Sequence, residues 1–153
     1  RKQLKDAAFG QTQLTDASQV VVFCNYTNPT DADVDKFVNL TAKTRQQNIT
    51  ELQAHSDGMK NSINGKTKEA TEIWTAKQTY IALGTLLAAA GELRIDACPM
   101  EGFKPREFNK ILGLDDKGLN AAVIATIGYR SEDDKYQHHA KVRKPMDELY
   151  ETV

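Results

Sequence analysis

Cysteine is scarce in this chain, whose 153 residues include only Cys24 and Cys98. The two lie far apart and in no Cys-x-x-Cys pattern, which excludes a disulfide-rich secreted scaffold and a zinc cluster built from cysteines. Both stand in apolar surroundings, so we expect small buried side chains rather than reactive thiols.

Long apolar runs are also lacking. The longest, from Tyr80 to Ala90, is shorter than the ~20 residues that a membrane span needs, and charged residues flank it. The first residues are polar and lack the apolar core of a signal peptide. We therefore expect no membrane segment and a cytoplasmic location.

Neither sign of charge dominates, because 20 Lys and Arg face 21 Asp and Glu, giving a net charge of -1. A nucleic-acid-binding protein would be expected to carry a basic face, so we expect no nucleic-acid partner. Glycine-rich phosphate loops, nucleophile elbows and zinc-protease motifs are missing. The adjacent His138 and His139 cannot both aim at one metal from a regular strand, so we expect no metal site. Because the nucleophile motifs are missing, we also expect no side-chain nucleophile.

What the sequence does contain is typical of one globular domain, with 40% apolar and 27% charged residues. Short β-branched runs at 19–24 and 121–129 predict buried strands, and a third is expected at 93–98. Residues 31–59 favour a mostly polar helical segment capped by Thr30 or Asp31. Strands separated by helices predict a layered α/β or α+β fold.

Two further helices are predicted beside these strands. Residues 105–112 form a small helix, with Pro105 in its first turn and Gly113 after its end. The longer helix, at 69–92, is apolar on nearly all sides. Such a helix belongs at the centre of a domain or in an extensive subunit interface.

A basic motif near the C-terminus is the first candidate binding site. Pro145 favours an extended backbone before it, which places Lys141 and Arg143 on the same face. Two cations so arranged can grip a phosphate, Arg through its planar fork and Lys as a point charge. A solvated basic strand edge is the more common alternative.

The second candidate is the segment 96–103, which leaves a predicted strand and enters a loop. Pro99 fixes the backbone, while Gly102 permits either close approach of a ligand or a positive φ. The N–H groups of Met100 to Gly102 are then potential donors to a flat ligand. Glu101 would be an acid, a base or a turn-capping acceptor. An ordinary strand-to-helix connection remains the alternative.

Taken together, these segments resemble the FMN-dependent nitroreductase family, particularly its bacterial NAD(P)H nitroaromatic and quinone reductase branch. The resemblance covers nearly the whole chain, and its most specific motifs are those at 95–103 and 141–145. The matching stretches are Phe9-Gly-Gln-Thr-Gln13, residues 15–24, Trp74-Thr-Ala-Lys-Gln78, Ile95-Asp-Ala-Cys-Pro-Met-Glu-Gly-Phe103 and Lys141-Val-Arg-Lys-Pro145.

The resemblance implies a set of cofactor-binding residues. Lys141 and Arg143 match the family's basic residues at the flavin phosphate. The loop against the isoalloxazine is matched by 99–102, with the backbone N–H of Glu101 towards flavin N5. Gln13 matches a contact to the pyrimidine edge, and Gln78 lies near the cofactor on the central helix. The implied set is Gln13, Gln78, Pro99, Met100, Glu101, Gly102, Lys141 and Arg143.

The resemblance also implies fold, assembly and activity. It implies an α+β fold with a central, mostly antiparallel sheet flanked by helices, in an intertwined homodimer with FMN at the interface. The implied activity is an oxidoreductase that passes electrons from NADH or NADPH through flavin N5 to nitroaromatics or quinones by a ping-pong mechanism. FMN performs the chemistry, so no catalytic side chain is expected.

The resemblance begins partway through the family's fold. The family's opening Arg-x-Ser segment and its Ser-Pro-Ser-x-x-Asn-x-Gln-Pro-Trp stretch are not found here. We therefore expect residues 1–153 to be a single, N-terminally incomplete domain. Three alternatives stay open: a non-catalytic dimeric flavin-binding protein, another flavin chemistry such as dehalogenation or flavin fragmentation, and an interaction module without cofactor.

Overall fold

A three-stranded antiparallel sheet forms the centre of the chain in a computed structural model that describes residues 1–152. The spatial order is β1-β3-β2, so the last strand in sequence lies between the other two. The strands are β1 (Gln19–Tyr26), β2 (Asp96–Met100) and β3 (Leu119–Gly128). The predicted fold class, α+β with an antiparallel sheet flanked by helices, is confirmed.

Helices surround this sheet, and those within 31–64, 68–92 and 105–112 correspond to predicted helical segments. They are α1 (Lys2–Ala7), α2 (Gln13–Asp16), α3 (Asp31–Arg45), α4 (Gln53–Asn64), α5 (Lys68–Glu92), α6 (Pro105–Leu112) and α7 (Met146–Leu149), with short 3-10 turns at Ile49–Leu52, Asp115–Lys117 and Lys135–His138. Among residues 1–152, none of them combines the length and the apolar character that crossing a bilayer requires.

The two faces of the sheet bury separate cores. On one face, α1, α2 and α6 pack around Leu14, Phe108 and Ile124, while on the other Leu83 of α5 packs against Val123 and Ala125. A register shift between Phe23 and Cys24 of β1 interrupts the pairing with β3. Such a bulge changes which face the following side chains meet, so it lets Ala121 and Ile124 join the same core.

Burial is concentrated in the central strand β3, and this corrects two predictions. β1 was expected to be buried on both faces, but most of its residues are half-buried because it pairs with β3 alone. β2 was expected at 93–98 as a buried strand, but it spans Asp96–Met100 and leaves Cys98 and Pro99 exposed at the other edge. Cys98 is therefore not the buried side chain that its sequence context indicated.

The segment 31–64 is two helices rather than one. Thr30 caps α3 as predicted, and its N–H donates to Asp33 Oδ2 over 3.0 Å in a capping box. This hydrogen bond, with a second from the Thr30 hydroxyl, lowers the pKa of Asp33. The helix ends at Gln46, whose φ of 53° is left-handed, and the chain turns there towards α4.

Helix α5 buries only one stripe of its surface. Thr71, Thr75, Thr79 and Leu83 recur every four residues and face the sheet. Large apolar side chains on the rest of the helix are exposed, namely Ile73 (49%), Trp74 (38%), Tyr80 (41%) and Ile81 (65%). Helix α5 is thus not enclosed by the rest of the described chain. Of the two settings predicted for it, a domain centre or a subunit interface, this exposure favours the interface, which stays a prediction.

Candidate functional site

The loop between β2 and α6, residues 101–104, presents unused hydrogen-bond donors to solvent. Glu101 and Gly102 are exposed, whereas Phe103 is buried and anchors the loop in the core. The Phe103 N–H donates to Glu101 O over 2.8 Å, but within residues 1–152 the N–H groups of Glu101 and Gly102 have no acceptor. Two adjacent exposed donors on a short loop can bind the edge of a flat ligand.

Position 102 suits glycine because a Cβ would be crowded there, not because the backbone has a positive φ. The positive-φ glycines in the described part of the chain are Gly10, Gly113 and Gly118, so the positive φ considered for Gly102 is not adopted. A Cβ at Gly102 would lie 3.2 Å from the Gln11 Nε2 atom. The missing Cβ therefore leaves room for the Gln11 side chain, and close approach of a ligand at Gly102 stays a prediction.

One side of the loop is held by the N-terminal segment. The Gln11 Nε2 group donates to Gly102 O over 2.6 Å and to Ala8 O over 3.1 Å. The Lys104 N–H donates to Ala7 O over 2.9 Å. These contacts fix the loop carbonyl and the start of α6 without using the two free N–H groups.

The other side of the loop is held by α5. The Tyr80 hydroxyl donates to Glu101 Oε1, joining the middle of the helix to the loop. This hydrogen bond and the negative charge of the carboxylate, with some burial, raise the pKa of Tyr80 to about 12. Tyr80 therefore stays protonated, and able to donate, throughout the physiological pH range.

The elevated pKa of Tyr80 can be measured directly. A neutral hydroxyl whose folded-state pKa is raised keeps its stabilising contact below its ordinary pKa of 10.0, and loses it as the pH climbs towards about 12. We expect the difference in tyrosinate absorbance between the wild-type chain and Tyr80→Phe to titrate near 12. In Glu101→Gln, which removes the charge, the titration should move towards 10.0. A wild-type midpoint near 10.0 would contradict the contact.

Beneath the site, a chain of amides joins the helices to the sheet. Asn25 Nδ2 donates to Thr75 Oγ1 over 2.9 Å, and Asn120 Nδ2 donates to Asn25 Oδ1 over 3.2 Å. Asn109 Nδ2 in turn donates to Asn120 Oδ1 over 3.0 Å, and Asn109 Oδ1 accepts from the Ala121 N–H over 2.9 Å. The chain links α5 to α6 through β1 and β3, which gives the loop between β2 and α6 a fixed support.

The predicted glutamines lie on elements near the loop. Gln13 begins α2 and is half-buried, two residues after Gln11. Gln78 is exposed on α5, half a turn before Tyr80, and lines a largely apolar cavity of about 520 Å³ between β1, α3, α4 and α5, along with Phe23 and Trp74. The contacts of both glutamines with a cofactor remain predictions.

No described hydrogen bond joins the basic pair, Lys141 and Arg143, to this loop. Lys141 and Arg143 are exposed in a stretch without helix or strand, and Arg143 Nη1 donates to the neighbouring Val142 O over 2.7 Å. Upstream, Arg130 Nε donates to Asp96 Oδ2 over 3.1 Å. This contact joins the start of the C-terminal tail, residues 129–152, to β2. Within residues 1–152 no hydrogen bond joins the pair to residues 99–102, so their convergence on one ligand stays a prediction.

Two residues of the site were missed by the sequence analysis. Gln11, rather than Gln13, is the side chain that reaches the loop, and Tyr80 reaches it from α5. The sequence pattern marks the loop but not its supports, because these contacts span 91 and 21 residues. No local spacing rule indicates a hydrogen bond between such distant positions.

The comparisons with known proteins agree on one family. The model of the nitroreductase family matches residues 1–129. A provisionally named NAD(P)H nitroreductase of Haemophilus influenzae is 34% identical over 100% of this chain and 71% of its own length. The oxygen-insensitive NAD(P)H nitroreductase of Enterobacter cloacae is 28% identical over 92% of this chain and 66% of its own length.

A solved structure shows the same fold. A provisionally named nitroreductase of Exiguobacterium sibiricum, in complex with FMN, superposes with a TM-score of 0.76 at 16% identity and covers 99% of this chain and 70% of its own. The findings confirm the predicted fold and enzyme class, and they agree with the predicted FMN and NAD(P)H. With the loop at 101–104 in place and the family model spanning most of its length, this chain belongs to the nitroreductase family.

Proposed function

We propose that this chain is an FMN-dependent oxidoreductase that passes electrons from NADH or NADPH to nitroaromatics or quinones. The observation that carries the proposal is the pair of unused N–H groups at Glu101 and Gly102, in the loop that the family resemblance assigns to the flavin. The names of the relatives support the donor and the substrate class. A requirement for NAD(P)H also favours the cytoplasm.

The residues present suit FMN at both of its ends. The N–H groups of Glu101 and Gly102 would bind the ring near N5. Gln13 would bind the pyrimidine edge and Gln78 would lie near the ring. The exposed Arg143 and Lys141 would bind the phosphate, for which a planar fork beside a second cation is well suited.

When bound, FMN would supply the redox chemistry, taking electrons from NAD(P)H and passing them to the acceptor in a ping-pong sequence. The protein's own task is to orient the ring and to present fixed donors where negative charge grows during reduction. Such donors act more strongly than water because they are already oriented. The Gln13 carboxamide is the side chain proposed for this role.

We also propose a homodimer, and the exposed face of α5 supports it. Ile73, Trp74 and Ile81 leave a large apolar surface in contact with solvent in the single chain. Contiguous exposed apolar surface of this kind marks an interaction site. A second copy of α5 would cover it and bring the site close to the partner subunit.

Anaerobic reduction tests the proposed function. FMN reconstituted with the chain should lose its visible absorbance on addition of NADH or NADPH, and recover it when a nitroaromatic or quinone is added. Free FMN at the same concentration is the control. A yellow protein that NAD(P)H does not bleach would favour the non-catalytic flavin-binding alternative, and a chain that does not bind FMN would overturn the proposal. Product analysis separates dehalogenation and flavin fragmentation from simple reduction.

A further inference from the structure

We propose that Tyr80 is a positioning residue that holds the N–H groups of the 101–104 loop towards the flavin by acting through the side chain of Glu101. The inference rests on the proposed function, since it assigns a role to the loop's orientation. Tyr80 would touch neither FMN nor the substrate. Its only polar contact in the described part of the chain is the hydrogen bond to Glu101 Oε1.

The two halves of the loop are held by different contacts. Gln11 and Ala7 fix the downstream half, through Gly102 O and the Lys104 N–H. The upstream half carries the free Glu101 N–H and is exposed; there the Phe103 N–H holds Glu101 O over 2.8 Å, but neither this bond nor the contacts of Gln11 and Ala7 hold the Glu101 side chain. The hydrogen bond from Tyr80 is the contact that restrains the Glu101 side chain, and therefore limits rotation of its backbone.

Tyrosine suits this role chemically. Its phenol is rigid and extends from a long helix that is itself anchored to the sheet through Thr75, so the donor has a fixed position. It is also neutral, and it binds the carboxylate without adding a cation beside the flavin. A phenol is also a protonated donor near neutral pH, which a carboxylate in its place would not be.

The contact also orients charge. With its carboxylate held on the α5 side by Tyr80, Glu101 can present its N–H in another direction, because the side chain and the amide nitrogen are joined to the Cα by different bonds. A freely rotating Glu101 would spend part of its time with its negative charge facing the ligand. Loss of the hydroxyl should therefore weaken FMN binding through disorder and through charge.

A double-mutant cycle on FMN affinity tests this role. We expect Tyr80→Phe to raise the Kd for FMN about fivefold to tenfold, the upper part of the usual range for the net contribution of one hydrogen bond. Glu101→Ala should have a similar effect, and the double variant should be no worse than Glu101→Ala alone. Glu101→Gln keeps an acceptor for the Tyr80 hydroxyl and should restore most of the affinity. Tyr129→Phe, at a highly exposed tyrosine just after β3, is the matched control.

Amide hydrogen exchange without FMN measures whether the loop is more mobile once the Tyr80 hydroxyl is removed. In Tyr80→Phe, the N–H groups of Phe103 and Lys104 should exchange faster than in wild type, while those of β3 should not change. Unchanged FMN affinity in Tyr80→Phe, or additive effects in the cycle, would overturn the positioning role while leaving the proposed function in place. A wild-type chain that fails to bind FMN would overturn both.

Discussion

Replacing Arg143 by alanine should weaken FMN binding by about 1.5–3 kcal/mol, which is about 10-fold to 150-fold in Kd. Arg143 is exposed, and its only described hydrogen bond is to the carbonyl of its neighbour Val142, so its guanidinium is available to a phosphate. Its planar fork can donate twice to one phosphate group, which lysine cannot do. Fluorescence titration of FMN measures the change.

The adjacent Lys144 provides a matched control for Arg143. Lys144→Ala removes the same unit of charge one residue away, where an extended chain points the side chain to the opposite face. We expect this variant to change the FMN Kd by less than about threefold, as for a distant surface charge. Equal losses in the two variants would mean that the tail acts only through its net charge.

Replacing Phe108 by alanine should cost about 3–5 kcal/mol of folding free energy, the usual range for a buried phenylalanine. Phe108 is fully buried in α6, and its ring centroid lies 4.6 Å from that of Phe103, the residue that anchors the 101–104 loop. The substitution leaves a cavity directly under the loop. Urea unfolding should show a lower midpoint, and FMN affinity should fall as the loop loosens.

Lys110→Ala is the control for Phe108, because Lys110 is exposed on the same helix. Removal of its side chain should change the free energy of unfolding by no more than about 0.5 kcal/mol. A Phe108→Ala variant with an unchanged urea midpoint would show that the core on this face of the sheet is not packed as described.

Elements with local signals were the easiest to predict. The helix at 105–112 was predicted with its observed bounds, because Pro105 begins it and Gly113 ends it at a φ of 61°. The strand predicted at 121–129 is β3, which begins two residues earlier and ends one residue earlier than predicted. In both, the residues that set the boundary lie within the element or next to it, so the sequence alone contains the information.

Features that depend on strand order were not predictable in this way. The run at 19–24 predicted a strand buried on both faces, but β1 lies at the edge of the sheet described here. Cys98 has apolar neighbours in sequence yet is exposed, because β2 occupies the opposite edge. Which strand becomes central is decided by pairing between distant segments, and hydrophobic pattern does not report it.

The candidate site likewise combines residues that local sequence marks with residues that only the fold brings together. The segment from Pro99 to Gly102 was marked by its own residues, whereas the supports of the loop at Gln11 and Tyr80 were not. A hydrogen bond needs the right distance and angle between two particular groups, and the fold alone sets these. The basic pair at Lys141 and Arg143 is marked by sequence, but its place beside the loop remains a prediction.

The central claim is that one flavin nucleotide is held at its phosphate by the basic tail and at its ring by the 101–104 loop. Comparing the affinities for FMN and for riboflavin, which lacks the phosphate, in the wild-type chain and in Arg143→Ala tests it most directly. We predict that Arg143→Ala loses affinity for FMN about 10-fold to 150-fold while its affinity for riboflavin is unchanged. Equal loss of affinity for both ligands, or no loss for either, would contradict the claim.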